Sequence, residues 1–178
     1  WWGGLSAEMT LFSPLRVAVD GVYGKVDMGK TGNQDLKRAG WYAALAAECK
    51  TDFVTPGLTF WYASGDDANA LDGSERMPVI DTDVALTSFG YDGGMYNRSS
   101  TFNGTDISGS WGIMAELKDI SFIEALSHAF RVAMVKGTNN TEMVRGGVVA
   151  RDAMATVGNN IYLTTKDKLW EVNFDSQY

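Results

Sequence analysis

The residues whose spacing most resembles a chemical device are Gly24-Lys25-Val26-Asp27-Met28-Gly29-Lys30-Thr31, which fit the phosphate-binding pattern G-x-x-x-x-G-K-[ST]. In such a loop, backbone amides and the lysine cradle a nucleotide while the hydroxyl holds magnesium. Met77-Pro78-Val79-Ile80-Asp81 resembles the apolar run whose final Asp would complete that magnesium site. The surroundings argue against the device. Its loop must open a helix whose N-terminal amides face the phosphates, and Thr31 is followed by Gly32 and Asn33, which break a helix start. The strand before it should be apolar on both faces, yet Arg16 and Asp20 charge one face, and Pro78 interrupts the second strand. A P-loop NTPase is therefore one alternative, and a Gly/Lys-rich surface loop is the plainer account of residues 24–31.

Other candidate chemistry is thinner. Asp66-Asp67-Ala68-Asn69-Ala70-Leu71-Asp72-Gly73 offers oxygen ligands but lacks the order and closing Glu of an EF-hand loop, so it reads as a solvated acidic loop. A single cysteine, Cys49, allows no internal disulfide, and a single histidine, His128, allows no multi-histidine zinc site. The expectation is no enzyme, no cofactor and no metal. What remains is fixed charge in the middle of alternating segments: Glu8, Arg16, Asp20, Glu48, Lys50, Glu116, Lys118, Arg131, Glu171 and Asp175. Such groups do no covalent chemistry, but lining a water-filled passage they set its field and its selectivity.

The elements that must position these charges are legible as period-two alternation. Leu15, Val17, Val19 and Tyr23 share one face of a segment whose other face carries Arg16, Ala18, Asp20 and Gly24. The same division recurs over 5–11, 40–50, 58–64, 110–118, 129–136 and 169–178, which makes seven segments. Gly is abundant at 20 residues and Pro scarce at 3, as suits many strands joined by turns. Aromatic residues reach 12%, and Trp41, Trp111 and Trp170 each stand on an apolar face near a long connection, where an interface girdle would place them. Short links through Phe12-Ser13-Pro14, through Asp52, Pro56 and Gly57, and from Asp119 to His128 alternate with longer ones over 27–39, 65–109 and 137–166. Short turns on one side and long loops on the other describe an antiparallel up-and-down transmembrane β-barrel. The fold class expected is thus all-β and porin-like, one domain over 1–178. No stretch of about 18 apolar residues exists, so no transmembrane helix is expected, which leaves a barrel untouched. The net charge of −7 sets nucleic acid aside as a partner.

The same alternation suits a soluble β-barrel or sandwich that binds a small ligand, with its apolar face turned inward and packed. Charge of both signs at the strand centres favours the aqueous lumen instead. The segment from Gly65 to Gly109 is the candidate for a loop that folds inward and narrows that lumen, or else lies outside as a lid or subunit contact. Its constriction candidates are Asp66, Asp67, Asp72, Glu75, Arg76, Asp81, Asp83 and Arg98, an acidic balance that predicts mild cation preference.

The runs Trp2-Gly3-Gly4-Leu5-Ser6-Ala7-Glu8, Val17-Ala18-Val19-Asp20-Gly21-Val22-Tyr23-Gly24-Lys25, Gly40-Trp41-Tyr42-Ala43-Ala44, Trp61-Tyr62-Ala63-Ser64-Gly65-Asp66-Asp67 and Gly73-Ser74-Glu75-Arg76-Met77-Pro78 resemble the trimeric outer-membrane porins of sulfate-reducing bacteria. Thr55-Pro56-Gly57-Leu58 and Leu117-Lys118-Asp119-Ile120-Ser121-Phe122 add to the resemblance. It implies a passive pore for small hydrophilic solutes and ions, a homotrimer, outer-membrane lipid as partner and the Gram-negative outer membrane as location. It also implies a partial barrel lacking strands at both ends, since an aqueous channel needs about 16 strands. The opening at Trp1, with neither Met nor a basic start, is expected of a mature or truncated front.

Overall fold

A computed structural model describes residues 1–69, 71–78, 107–142 and 163–178. Every element among them is a strand: β1 (Trp2–Phe12), β2 (Leu15–Thr31), β3 (Gln34–Cys49), β4 (Thr55–Ala63), β5 (Ser110–Ile123), β6 (Leu126–Gly137) and β7 (Lys168–Gln177). They form one seven-stranded sheet in chain order, each strand antiparallel to the next. The sheet is open, with β1 and β7 at its edges, as a partial up-and-down barrel would be.

Alternation governs which side chains share a face, because successive Cβ atoms point to opposite sides of a strand. Register then aligns the faces across the sheet. Arg16 pairs with Glu48, Glu48 with Gly57, Gly57 with Glu116 and Glu116 with Arg131, so the charged sides all fall on one surface. The other surface carries Leu5, Leu11, Val19, Trp41, Leu45, Leu58, Phe60, Ile113, Leu117, Trp170, Val172 and Phe174, all exposed. The chain thus leaves the large apolar side chains of this surface uncovered and packs its buried residues on the polar side.

Three expected boundaries shift. Residues 27–31 and 34–39, expected in a polar loop, continue the β2–β3 ladder to a tight turn at Gly32 and Asn33, with a bulge between Asp27 and Lys30. Polar residues on both faces hide a strand from a hydropathy pattern, but backbone pairing does not need burial. Pro56 and Gly57 lie inside β4 rather than in a link. Residues 119–123 and 126–128 likewise extend β5 and β6 to a turn at Glu124 and Ala125, with register shifts around Asp119, whose φ of 59° marks a bulge. Residues 24–31 therefore belong to a paired strand followed by another strand, not to a loop that opens a helix.

Candidate functional site: the charged face and its covering loop

Near the short turns, seven charged side chains form a continuous row across the sheet. Arg16 donates from Nε and Nη2 to Glu8 at 2.8 and 2.9 Å, and from Nη1 to Glu48 at 3.2 Å. Lys118 Nζ reaches Glu48 at 2.5 Å and Glu116 at 3.7 Å. Arg131 then links Glu116 at 3.1 Å to Asp175 at 2.7 Å. The signs alternate along the whole row. Lys118, whose register partner on β4 is Thr55, reaches diagonally to Glu48 on β3 past Gly57, the partner of both Glu48 and Glu116, where a Cβ would stand 2.9 Å from the Glu116 side chain. The row is most shielded at its middle: the Glu116 side chain is 10% exposed against 48% for Glu8 at the edge.

Of the ten wall candidates, Glu8, Arg16, Glu48, Glu116, Lys118, Arg131 and Asp175 make up this row. Asp20 lies on the same face higher up β2, opposite Ser6 and Ala44, and is exposed. Glu171 lies on that face of β7 and accepts a hydrogen bond from Asn173 Nδ2 at 2.8 Å. Lys50 falls just beyond β3, exposed, at the rim of a recess of about 440 Å³ shared with Arg16, Glu48, Thr55 and Lys118.

Toward the long loops the same face is dry, which period-two reasoning did not anticipate. Trp61, Ile107, Met114, Ala133, Val135 and Leu163 form a buried cluster, with Tyr42, Ala44 and Leu169 against it. Trp61 finds space because β5 presents Gly112, where any Cβ would collide with the indole, and its Nε1–H donates to Ser110 Oγ at 3.3 Å. Tyr42 is half-buried, packed against this cluster from the same face of β3 as Gly40 and Ala44.

The described part of the 65–109 segment lies on this face. Ser74 exchanges backbone hydrogen bonds with Lys37 and Ala39, so the loop pairs with the free edge of β3 above the end of β4. Residues 75–78 then cross β3, β2 and β1 in turn. A Cβ on Gly40 would strike the Glu75 carbonyl, one on Gly24 would meet Pro78 at 2.8 Å, and Trp2 Nε1–H donates to the Pro78 carbonyl at 2.7 Å. Gly24 and Gly40 are register partners, and together they form the trough that admits the loop. Arg76 and Arg38, both buried, converge on Ser108: Arg76 Nη2 is 2.8 Å and Arg38 Nη2 2.9 Å from its Oγ. Among the constriction candidates, Arg76 and Asp66 are buried, Asp72 and Glu75 half-buried and Asp67 exposed. Asp81, Asp83 and Arg98 lie outside the described residues, as does Asp81 of the proposed magnesium run.

The opposite face is banded. Below the level of Tyr62 and Trp111, down to Leu11, Leu15, Cys49 and Leu117, its strand positions carry no Asp, Glu, Lys or Arg. At the level of the upper aromatics Lys136 stands in register with Trp111 and with Lys168, which lies 4.9 Å from the centre of the Trp170 ring, and Lys25 follows two residues beyond Tyr23. Trp41 stacks on Tyr62 at 4.6 Å, and Trp1 meets Tyr23 at 5.4 Å. At the turn end Phe174 stacks on His128 at 5.4 Å, with Phe122 at 6.4 Å, and His128 Nδ1 shares a hydrogen bond with Ser176 Oγ at 2.8 Å.

No protein family, curated protein or solved structure matches this chain.

Proposed function

We propose that the chain forms part of the wall of an outer-membrane general-diffusion porin, through which small hydrophilic solutes and ions pass passively. One observation carries this reading: the exposed face is an uncharged band edged by aromatics and lysines, while the charged groups line the other face. A soluble barrel or sandwich would do the reverse, packing Leu45, Ile113 and Val172 and exposing Glu48 and Glu116. The band also has the right height. Trp111 and Phe122 lie eleven residues apart on β5, which is about 36 Å of strand at ~3.3 Å per residue, and a tilt of about 45° projects this to roughly 25 Å. Lysines at the aromatic level and just past it extend their stems along apolar surface and keep their ammonium groups in headgroup water.

In this reading the ion-pair row lines the lumen near its periplasmic mouth, and the loop over Gly24 and Gly40 narrows it toward the outside. The row holds four carboxylates against three cations, and the described loop adds Asp66, Asp67, Asp72 and Glu75 against Arg76. Both surpluses are negative, which supports mild cation preference. The pore is a homotrimer in the porins the chain resembles, and a trimer is proposed here too.

Expression without detergent separates this reading from its alternatives. A porin wall is insoluble, refolds into detergent with heat-modifiable mobility and, in planar bilayers across a salt gradient, gives a reversal potential of cation-selective sign. A chain that is soluble and monomeric without detergent, or that binds magnesium-nucleotide and loses it on Lys30→Ala, overturns the proposal.

A further inference from the structure

The covering loop is fastened at one point by carboxyl groups. Asp66 is only 5% exposed. Its N–H donates to Asn139 Oδ1 at 3.0 Å and its carbonyl accepts from the Asn140 N–H at 2.7 Å, so it ties the exit of β4 to the exit of β6. Its carboxylate faces Glu75: the Glu75 N–H approaches Asp66 Oδ1 at 3.4 Å, and Glu75 Oε2 accepts from the Asp67 N–H at 3.3 Å. Carboxylate oxygens of Asp66, Asp67 and Glu75 lie within 4.8 Å of one another. Glu75 is also where the loop rests on β3, since its carbonyl accepts from Ser64 Oγ at 2.6 Å and lies over Gly40.

We infer that a proton held by Asp66, facing the Glu75 carboxyl group, latches residues 64–69 and 71–78 onto the polar face. A buried carboxyl group facing a second carboxyl group ionises reluctantly unless a cation stands between them. Burial first, then the hydrogen bond and charge of Glu75, push the Asp66 carboxyl up to about 7. Arg76 is the cation that opposes this, and its guanidinium is turned to Ser108. Arg38, on β3 beneath the loop, donates to the Arg76 carbonyl and to Ser108. The exits of β4 and β6 present neutral groups, Ser64, Thr138, Asn139 and Asn140, and Asp67 adds a further exposed carboxylate. The pore reading matters only to what the latch would regulate, namely the width left open above the polar face.

The closed loop binds more protons than the open one. Closure is therefore strongest below the ordinary carboxylate range, weakens by up to about tenfold per pH unit as pH rises toward 7, and changes no further above that. Hydrogen exchange of peptides within 64–78, on the full chain in detergent micelles and corrected for intrinsic rates, reads this directly. Protection is expected to fall at least about tenfold between pH 5 and pH 7 and then level off. Asp66→Asn keeps the shape, supplies a neutral donor and should hold its protection throughout, with Glu75→Gln as a second variant should the first not fold. Protection independent of pH in the parent chain, a pH dependence that survives in both variants, or protection at pH 5 that is lost to a chelator would each overturn the latch. The readout is exchange rather than conductance, so a chain that passes no ions can show the latch, and a conducting chain can lack it.

Discussion

Arg131 shows what the row of charges requires of a single residue. It stands between Glu116, largely shielded, and Asp175, 42% exposed. Exposed pairs of this kind contribute little, but a shielded carboxylate that loses its hydrogen-bonded partner, and keeps only the longer contact to Lys118 at 3.7 Å, bears more of its desolvation cost. Arg131→Met is therefore expected to lower stability by about 1–3 kcal/mol, measured by urea unfolding in detergent, with Glu116→Gln added in the same chain restoring part of the loss. The reverse order, in which the double variant is the less stable, would mean that Glu116 is held by other groups. Gly112 is the steric counterpart. Its Cβ position is occupied by the Trp61 ring, so Gly112→Ala should cost about 1–3 kcal/mol by overpacking, visible as an equal fall in urea midpoint whether or not lipid is present.

At the scale of the element, the β2–β3 hairpin and the loop it receives behave as one unit. The hairpin runs well past the ends of β4, and the loop caps the free edge of β3 there through the Ser74 hydrogen bonds to Lys37 and Ala39. An uncovered edge is a template for unwanted pairing, and this one is covered from within the chain. Gly40→Ala should unseat residues 75–78 without unfolding the sheet, because the new methyl strikes the loop backbone at Glu75 and Met77 and, outside the loop, only the Ser64 hydroxyl just past the end of β4. Limited proteolysis is expected to cut within 66–78 several-fold faster in that variant at unchanged global unfolding; equal cleavage rates would show that the loop is held elsewhere. The turn before β7 is fastened by Asp167, which accepts from the Thr164 N–H at 2.8 Å and hydroxyl at 2.6 Å. Those bonds hold its carboxyl below the usual range. The support they provide is present above the ordinary carboxylate value and is lost as pH falls through the lowered one.

For the whole molecule the deciding quantity is the medium against the uncharged face. If that medium is lipid, Leu45→Arg, midway between Trp41 and Cys49, should cost about 2–4 kcal/mol in folding equilibria measured in vesicles, while Ala18→Arg on the charged face costs much less. Equal costs at the two positions would leave the faces undistinguished and remove the reason for a membrane assignment. The same sheet offers β1 and β7 as open edges, so closure needs further strands beside them.

Period-two alternation in the amino-acid sequence determined the seven strands, their antiparallel meander and the face on which each side chain falls, because the pleat leaves no freedom once a strand is assigned. It also placed Glu116, Arg131 and the other charges on a common side. It did not show which charges touch: Lys118, in register with Thr55, reaches Glu48 diagonally across β4, past the side-chain-free Gly57. Nor did it show strand ends such as 27–31, where both faces are polar and only backbone pairing keeps the chain extended. The loop lying in the Gly24–Gly40 trough, the buried Arg38, Arg76 and Ser108, and the carboxyl pair of Asp66 and Glu75 were settled by tertiary structure alone. Their contacts join residues up to 76 positions apart in the chain, and no local periodicity encodes an encounter at that range.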